Sequence, residues 1–172
     1  MKIIPNGLSL LCEKDLSEHQ KLELNLPQDA TYLRGYWLAD SAGQFVSGCW
    51  YQFVSLEQLR LENDQLSEFA QQILTNFDTH YIAWHSGTFT RADHQNEGLE
   101  LLIKEFTLED IKSFSKLYNS VLVIIKTGDD NLESIKIDKS FGLKSTGIRS
   151  PFAYTPSGPY IHLEYWYIII TP

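Results

Sequence analysis

Apolar residues recur along this chain at two periods. Leu56, Leu59, Leu66, Phe69, Ile73 and Leu74 keep helical spacing, with Ser55 placed to cap the helix and Asn63-Asp64 placed to break it. Residues 32–38 and 45–53 are instead rich in aromatic and β-branched types, and Asp40-Ser41-Ala42-Gly43-Gln44 separates them. That pattern predicts a β-hairpin. Residues 80–90 return to strand character, 91–96 form a polar loop, and 98–106 form an amphipathic helix. Thr107-Leu108-Glu109-Asp110 is a capping sequence that predicts a second helix running to Leu117.

Residues 121–125 are an unbroken apolar run, as in a strand buried on both faces. Residues 131–141 read as helix, 150–159 as a Pro-containing loop and 161–170 as a closing strand, while 8–12 form a short strand and 15–26 are partly helical. Tyr160 through Tyr167 suggest an aromatic wall, or an edge or inserted strand alternating between core and surface. Without repeats or low-complexity linkers, these elements predict one mixed α/β (α+β) domain over residues 1–172.

Composition narrows the function classes. The 172 residues suffice for a sizeable core, and 43% hydrophobic with 21% charged residues is ordinary for a globular chain. The net charge of −8, without any basic run, disfavours nucleic acid. No apolar run reaches bilayer length, which disfavours a membrane. Cys12 and Cys49 form no Cys-x-x-Cys pair, and His19, His80, His94 and His162 form no spaced ligand set, so no metal is expected. Residues 1–7 do not read as a signal peptide, and the expected location is cytoplasmic. Ser86-Gly87-Thr88 beside His85 lacks the strained elbow of a serine hydrolase.

The chemistry rests on two spaced sets. Asn131, Ser134, Asp138, Gly142 and Leu143 follow the apolar run 121–125, with Gly147 beyond them. Gln95-Asn96-Glu97-Gly98-Leu99-Glu100 follows the strand 80–90 and opens a helix, where free N–H groups bind phosphate and glycine admits close backbone approach. In this order the sets resemble the GNAT-type N-acyltransferase superfamily over roughly residues 32–170. The resemblance implies a central mixed, mostly antiparallel sheet flanked by helices, with one splayed parallel strand pair. It also implies acetyl-CoA or another acyl-CoA as co-substrate, held by Gln95, Asn96, Gly98 and Asn131, and a small-molecule or protein amine as acceptor. His85 is then the candidate base, with Glu164 as alternate, and Asp138 stands where the family often has the Tyr that protonates the leaving thiolate.

Three departures accompany the resemblance. Glu100 stands where Gly or Ala is usual, which puts a carboxylate near the expected phosphates. Asp138 replaces Tyr. A helix separates 45–53 from 80–90, where the family connects its strands directly. Each candidate also has a structural alternative: a hydrogen-bonded His85, a plain loop at Gln95–Gly98, a helix cap at Asn131, and a solvated Asp138 between Lys136 and Lys139. A non-catalytic acidic protein on the same scaffold, or an unrelated α/β accessory or immunity protein with a macromolecular partner, is the rival reading. A homodimer is compatible with either.

Overall fold

The computed structural model describes residues 2–24, 26, 33–77, 81–118, 120–150 and 163–172. Its strands are β1 (Ser9–Cys12), β2 (Leu33–Ala39), β3 (Phe45–Val54), β4 (Tyr81–Thr90), β5 (Val121–Gly128), β6 (Lys144–Arg149) and β7 (Leu163–Ile170). Its helices are α1 (Glu18–Glu23), α2 (Leu56–Glu62), α3 (Asp64–Phe77), α4 (Leu99–Tyr118) and α5 (Leu132–Ser140). Among the described residues the strands form one seven-stranded sheet ordered β1-β2-β3-β4-β5-β7-β6. β4 and β5 are parallel, whereas β1–β2, β2–β3, β5–β7 and β6–β7 are antiparallel. A helix between β4 and β5 is what a parallel neighbour requires, since no tight turn joins parallel strands. The mostly antiparallel mixed sheet expected from the sequence is therefore present. His80, His162, Tyr160 and the loop 150–159 (apart from Ser150) lie outside the described residues.

The chain folds as two compact units, Met1–Gln52 with Ser86–Asp110, and Phe53–His85 with Ile111–Pro172. In the first, Asp40 closes the β2–β3 hairpin by accepting the Ala42 and Gln44 N–H groups at 3.0 Å each. Leu38 pairs with Ser47 and Ala39 with Phe45, so Val46 is the extra residue of a bulge. Leu38, Val46 and Cys49 pack against Leu99 and Ile103 of α4. Trp37 packs with Leu16 and Leu26, and stacks on Trp50 at 6.3 Å between ring centroids. The indoles lie flat against the strands: a Cβ at Gly48 would collide with Trp37, and one at Gly87 with Trp50.

In the second unit, Leu59, Leu66, Ala70, Ile82, Leu122, Ile124 and Tyr165 form the core. Each fully buried aliphatic side chain there contributes about 1.5–3 kcal/mol relative to exposure. Ser55 caps α2 with Gln58 completing the box, and α2 ends at Asn63. Asn63 caps α3 through the Leu66 N–H at 3.1 Å, while its amide donates to the Arg149 carbonyl at 3.3 Å. The sequence placed both the cap and the break.

Two expectations are corrected. The helices proposed for 98–106 and from Thr107 onward are one helix, α4. Thr107 is buried and donates to the Ile103 carbonyl at 3.1 Å, the i−4 bond of a mid-helix threonine rather than an N-cap. The tail does not alternate between core and surface, because β7 lies between β5 and β6 and both Tyr165 and Trp166 are buried. Of the options set out for it, β7 is the inserted strand.

Candidate functional site

The first unit carries the approach to α4. Arg91 donates to Asp93 at 2.7 Å and to Asp40 at 3.3 Å, and His94 meets Glu97 at 2.9 Å. Arg91 thus pairs with Asp93 inside the loop and with Asp40 of the β2–β3 turn. Gln95, Asn96 and Gly98 are exposed. Asn96 and Gly98 both take left-handed backbone, with φ of 67° and 73°; glycine does so freely and asparagine tolerates it. The first intrahelical bond runs from the Leu102 N–H to the Gly98 carbonyl at 3.1 Å. The N–H groups of Leu99, Glu100 and Leu101 therefore precede the helical ladder and carry its positive end.

Glu100, expected near the phosphates, has a cation beside it. Its carboxylate lies 3.0 Å from the Lys104 ammonium, one turn along, and only 4% of the Lys104 side chain is exposed. This loop offers donors at a helix start, a glycine with open space beside its Cα, and a Glu100 carboxylate compensated by Lys104, features that suit a diphosphate.

The second unit carries the remaining candidates. β4 and β5 pair from Tyr81–Val121 to Trp84–Ile124, yet β4 continues to Thr90 and β5 to Gly128. His85, half-buried, directly follows the last pair. Beyond that pair, Lys126 and Thr127 project to opposite faces of β5. Thr127 donates to Asp138 at 3.0 Å, and Asp138 is fully buried. The solvated alternative for Asp138 is thereby overturned, because α5 turns that position inward despite its lysine neighbours. Thr127 also stands opposite Glu164 in the β5–β7 register, and Glu164 accepts a hydrogen bond from the Ser145 hydroxyl. Asp138 thus bonds Thr127 directly, while Glu164 faces it across the strand pair. Asn131 caps α5, accepting the Ser134 N–H at 3.2 Å.

On the other face of β5, Lys126 donates to Glu62 at 2.8 Å, and the Tyr165 hydroxyl donates to the same carboxylate oxygen at 2.9 Å. The Lys126 ammonium lies 5.8 Å from the centre of the Trp84 ring, and Trp84 is 6.0 Å from Tyr165. Burial pushes the Glu62 carboxyl upward, but the Lys126 and Tyr165 bonds outweigh it and hold the group below its ordinary value. Burial, then the bond to Glu62, raises the Tyr165 hydroxyl. Glu62, Thr127 and Lys126 were not among the candidates, and Tyr165 entered only as part of the aromatic stretch 160–167. A lone lysine directly after an apolar run, and a glutamate directly before a helix break, were the signals available.

No protein-family model matches the sequence, and no curated protein does. Solved structures do. The ribosomal-protein-S18-alanine N-acetyltransferase from Escherichia coli aligns with a TM-score of 0.58 at 12% identity, over 89% of this chain and 77% of that one. An acetyltransferase of GNAT family from Streptococcus pneumoniae gives 0.56 at 13% identity, over 90% and 78%. Arabidopsis thaliana NAA60 in complex with acetyl-CoA gives 0.63 at 11% identity, over 95% and 98%. The chain has a divergent GNAT fold. The helix expected between residues 45–53 and 80–90 is present as α2 and α3. No helix among the described residues is long and apolar enough to cross a membrane.

Proposed function

We propose that this chain is an acyl-CoA-dependent N-acyltransferase acting on an amine, in the cytoplasm. The observation that carries the reading is the parallel pairing of β4 and β5 that stops at Trp84–Ile124 while both strands run on. Backbone N–H groups released past the last pair are donors for a carbonyl that becomes an oxyanion, the costly species in acyl transfer. Acyl-CoA, when bound, supplies the activated thioester. The turn at Gln95, Asn96 and Gly98, with the N–H groups opening α4, would hold its diphosphate. Asn131 would contribute where it starts α5.

His85 is the base we assign to the acceptor amine, being half-buried and next to the last strand pair. Glu164 is its alternate. Asp138, our candidate at the leaving-group position, is buried on the Thr127 hydroxyl, which favours a supporting role at the end of β5. The rival reading, a non-catalytic acidic protein with a macromolecular partner, retains the net charge of −8 in its favour.

Calorimetric titration with acetyl-CoA, and with desulfo-CoA as the unreactive comparison, separates the two. Saturable heats with both ligands are expected, and no heat at millimolar acetyl-CoA would overturn the reading. In the active protein, His85→Ala is expected to slow thiol release from acetyl-CoA by about 10²–10⁴-fold at unchanged acetyl-CoA affinity, since a general base acts on the acceptor. Full turnover by that variant would pass the role to Glu164.

A further inference from the structure

The cluster of Glu62, Lys126, Tyr165 and Trp84 lies within the second unit and is used by no step above. We propose that Glu62, Tyr165 and Trp84 form a pocket for an alkylammonium group, that Lys126 fills it in the free protein, and that the acceptor amine displaces Lys126 from it. The last clause rests on the acyl-transfer reading.

An ammonium group out of bulk water needs a counter-charge, oxygen acceptors for its donors and a polarisable face beside it. Lys126 finds these together: the Glu62 carboxylate at 2.8 Å, with the indole of Trp84 at 5.8 Å. The carboxylate is not a free-swinging surface acid. Tyr165, itself fully buried, donates to it at 2.9 Å and fixes its oxygen. Its backbone ends α2 immediately before Asn63, whose side chain ties α3 and the Arg149 carbonyl. With Lys126 seated, its bond and that of Tyr165 outweigh burial and hold the Glu62 carboxyl below its ordinary value.

The occupant can leave. The Lys126 and Glu62 side chains are 31% and 33% exposed, so solvent reaches the pair, unlike the 4%-exposed Lys104. The position also suits an acceptor. Trp84 is the last β4 residue paired to β5, and Lys126 follows its partner Ile124 by one intervening residue. A nitrogen held there, once it has given up its proton, would stand near the end of the β4–β5 pairing, on the face of the sheet opposite His85 and Glu164.

A tethered ammonium competes with free amines as an internal ligand, so shortening or replacing it should open the pocket. The test uses n-butylammonium chloride as probe, titrated by calorimetry at constant ionic strength into the full chain and its variants. Lys126→Met is expected to bind it roughly tenfold or more tighter than the unmodified protein, and Lys126→Met with Glu62→Gln is expected not to bind it. A second measurement avoids the variants. Amine-specific labelling read by mass spectrometry should show Lys126 labelled faster when butylammonium is present, with Lys136 unchanged as the exposed reference. Equal butylammonium affinity in Lys126→Met and the double variant, or Lys126 labelling indifferent to the probe, overturns the pocket. Acetyl-CoA titration of the same samples keeps the two readings apart. Acetyl-CoA binding without a butylammonium response removes the pocket alone, whereas a butylammonium response without acetyl-CoA binding overturns its assignment to an acceptor.

Discussion

Glu62 accepts two hydrogen bonds on one carboxylate oxygen, and its protonation is therefore linked to folding. Its folded pKa lies below the unfolded value near 4.5. The unfolded chain thus takes up the proton first on acidification. The stabilisation is fully present above the unfolded value and is lost as pH falls through the folded one. Thermal melts taken from about pH 6 down to about pH 3 should show Glu62→Gln losing less stability than the unmodified protein; parallel curves would mean the pair contributes nothing. Thr127 makes a different demand. It serves a fully buried carboxylate, so Thr127→Val is expected to cost about 1–3 kcal/mol in urea unfolding, with Thr127→Ser close to neutral. The sequence could not reveal this partnership. Lys136 and Lys139 flank Asp138 and suggest a wet face, yet which face of a short helix is buried depends on the strand beneath it. The helix caps were different: Ser55 and Asn131 act on N–H groups only three residues away, so local sequence contains the whole interaction.

The same division between local and distant causes holds among the elements. The β2–β3 hairpin, the α2–α3 break and the unbroken β5 strand were all readable, because turn chemistry and periodicity are written within a few residues. The continuity of α4 was not. Thr107-Leu108-Glu109-Asp110 has the composition of a cap, but Ile103, Thr107 and Ile111 are all buried along one stripe, and burial of that stripe overrides the local signal. At α5 the local signal prevails: Asn131→Ala should lower stability by about 1 kcal/mol through loss of the N-cap, seen as a lower urea midpoint at unchanged slope. A splay between β4 and β5 was expected from the family pattern, but its position at Trp84–Ile124 was not, since neither strand's sequence marks where its partner departs.

For the molecule as a whole, the order of elements was more informative than any motif, and the GNAT fold emerged at identities of only 11–13% in the three structures compared. If acyl-CoA binds the native chain alone, acetyl-CoA at about 100 times its Kd should stabilise the protein by about 2.7 kcal/mol, readable as a raised melting temperature. An unshifted melt at saturating ligand would contradict binding. The strand order has a further consequence during synthesis. β5 is made well before β7, yet β7 is the neighbour that satisfies its second edge, with Val121 paired to Ile170 and Gly128 to Leu163. β6 leaves the ribosome earlier than β7 and has no other described partner. A nascent chain halted before residue 163 therefore holds one of the most apolar strands of the protein with an open edge, while α2 and α3 are already complete. Such an intermediate is a natural client for chaperones, and proteolysis of arrested chains should find β6 susceptible until residues 163–170 have cleared the exit tunnel.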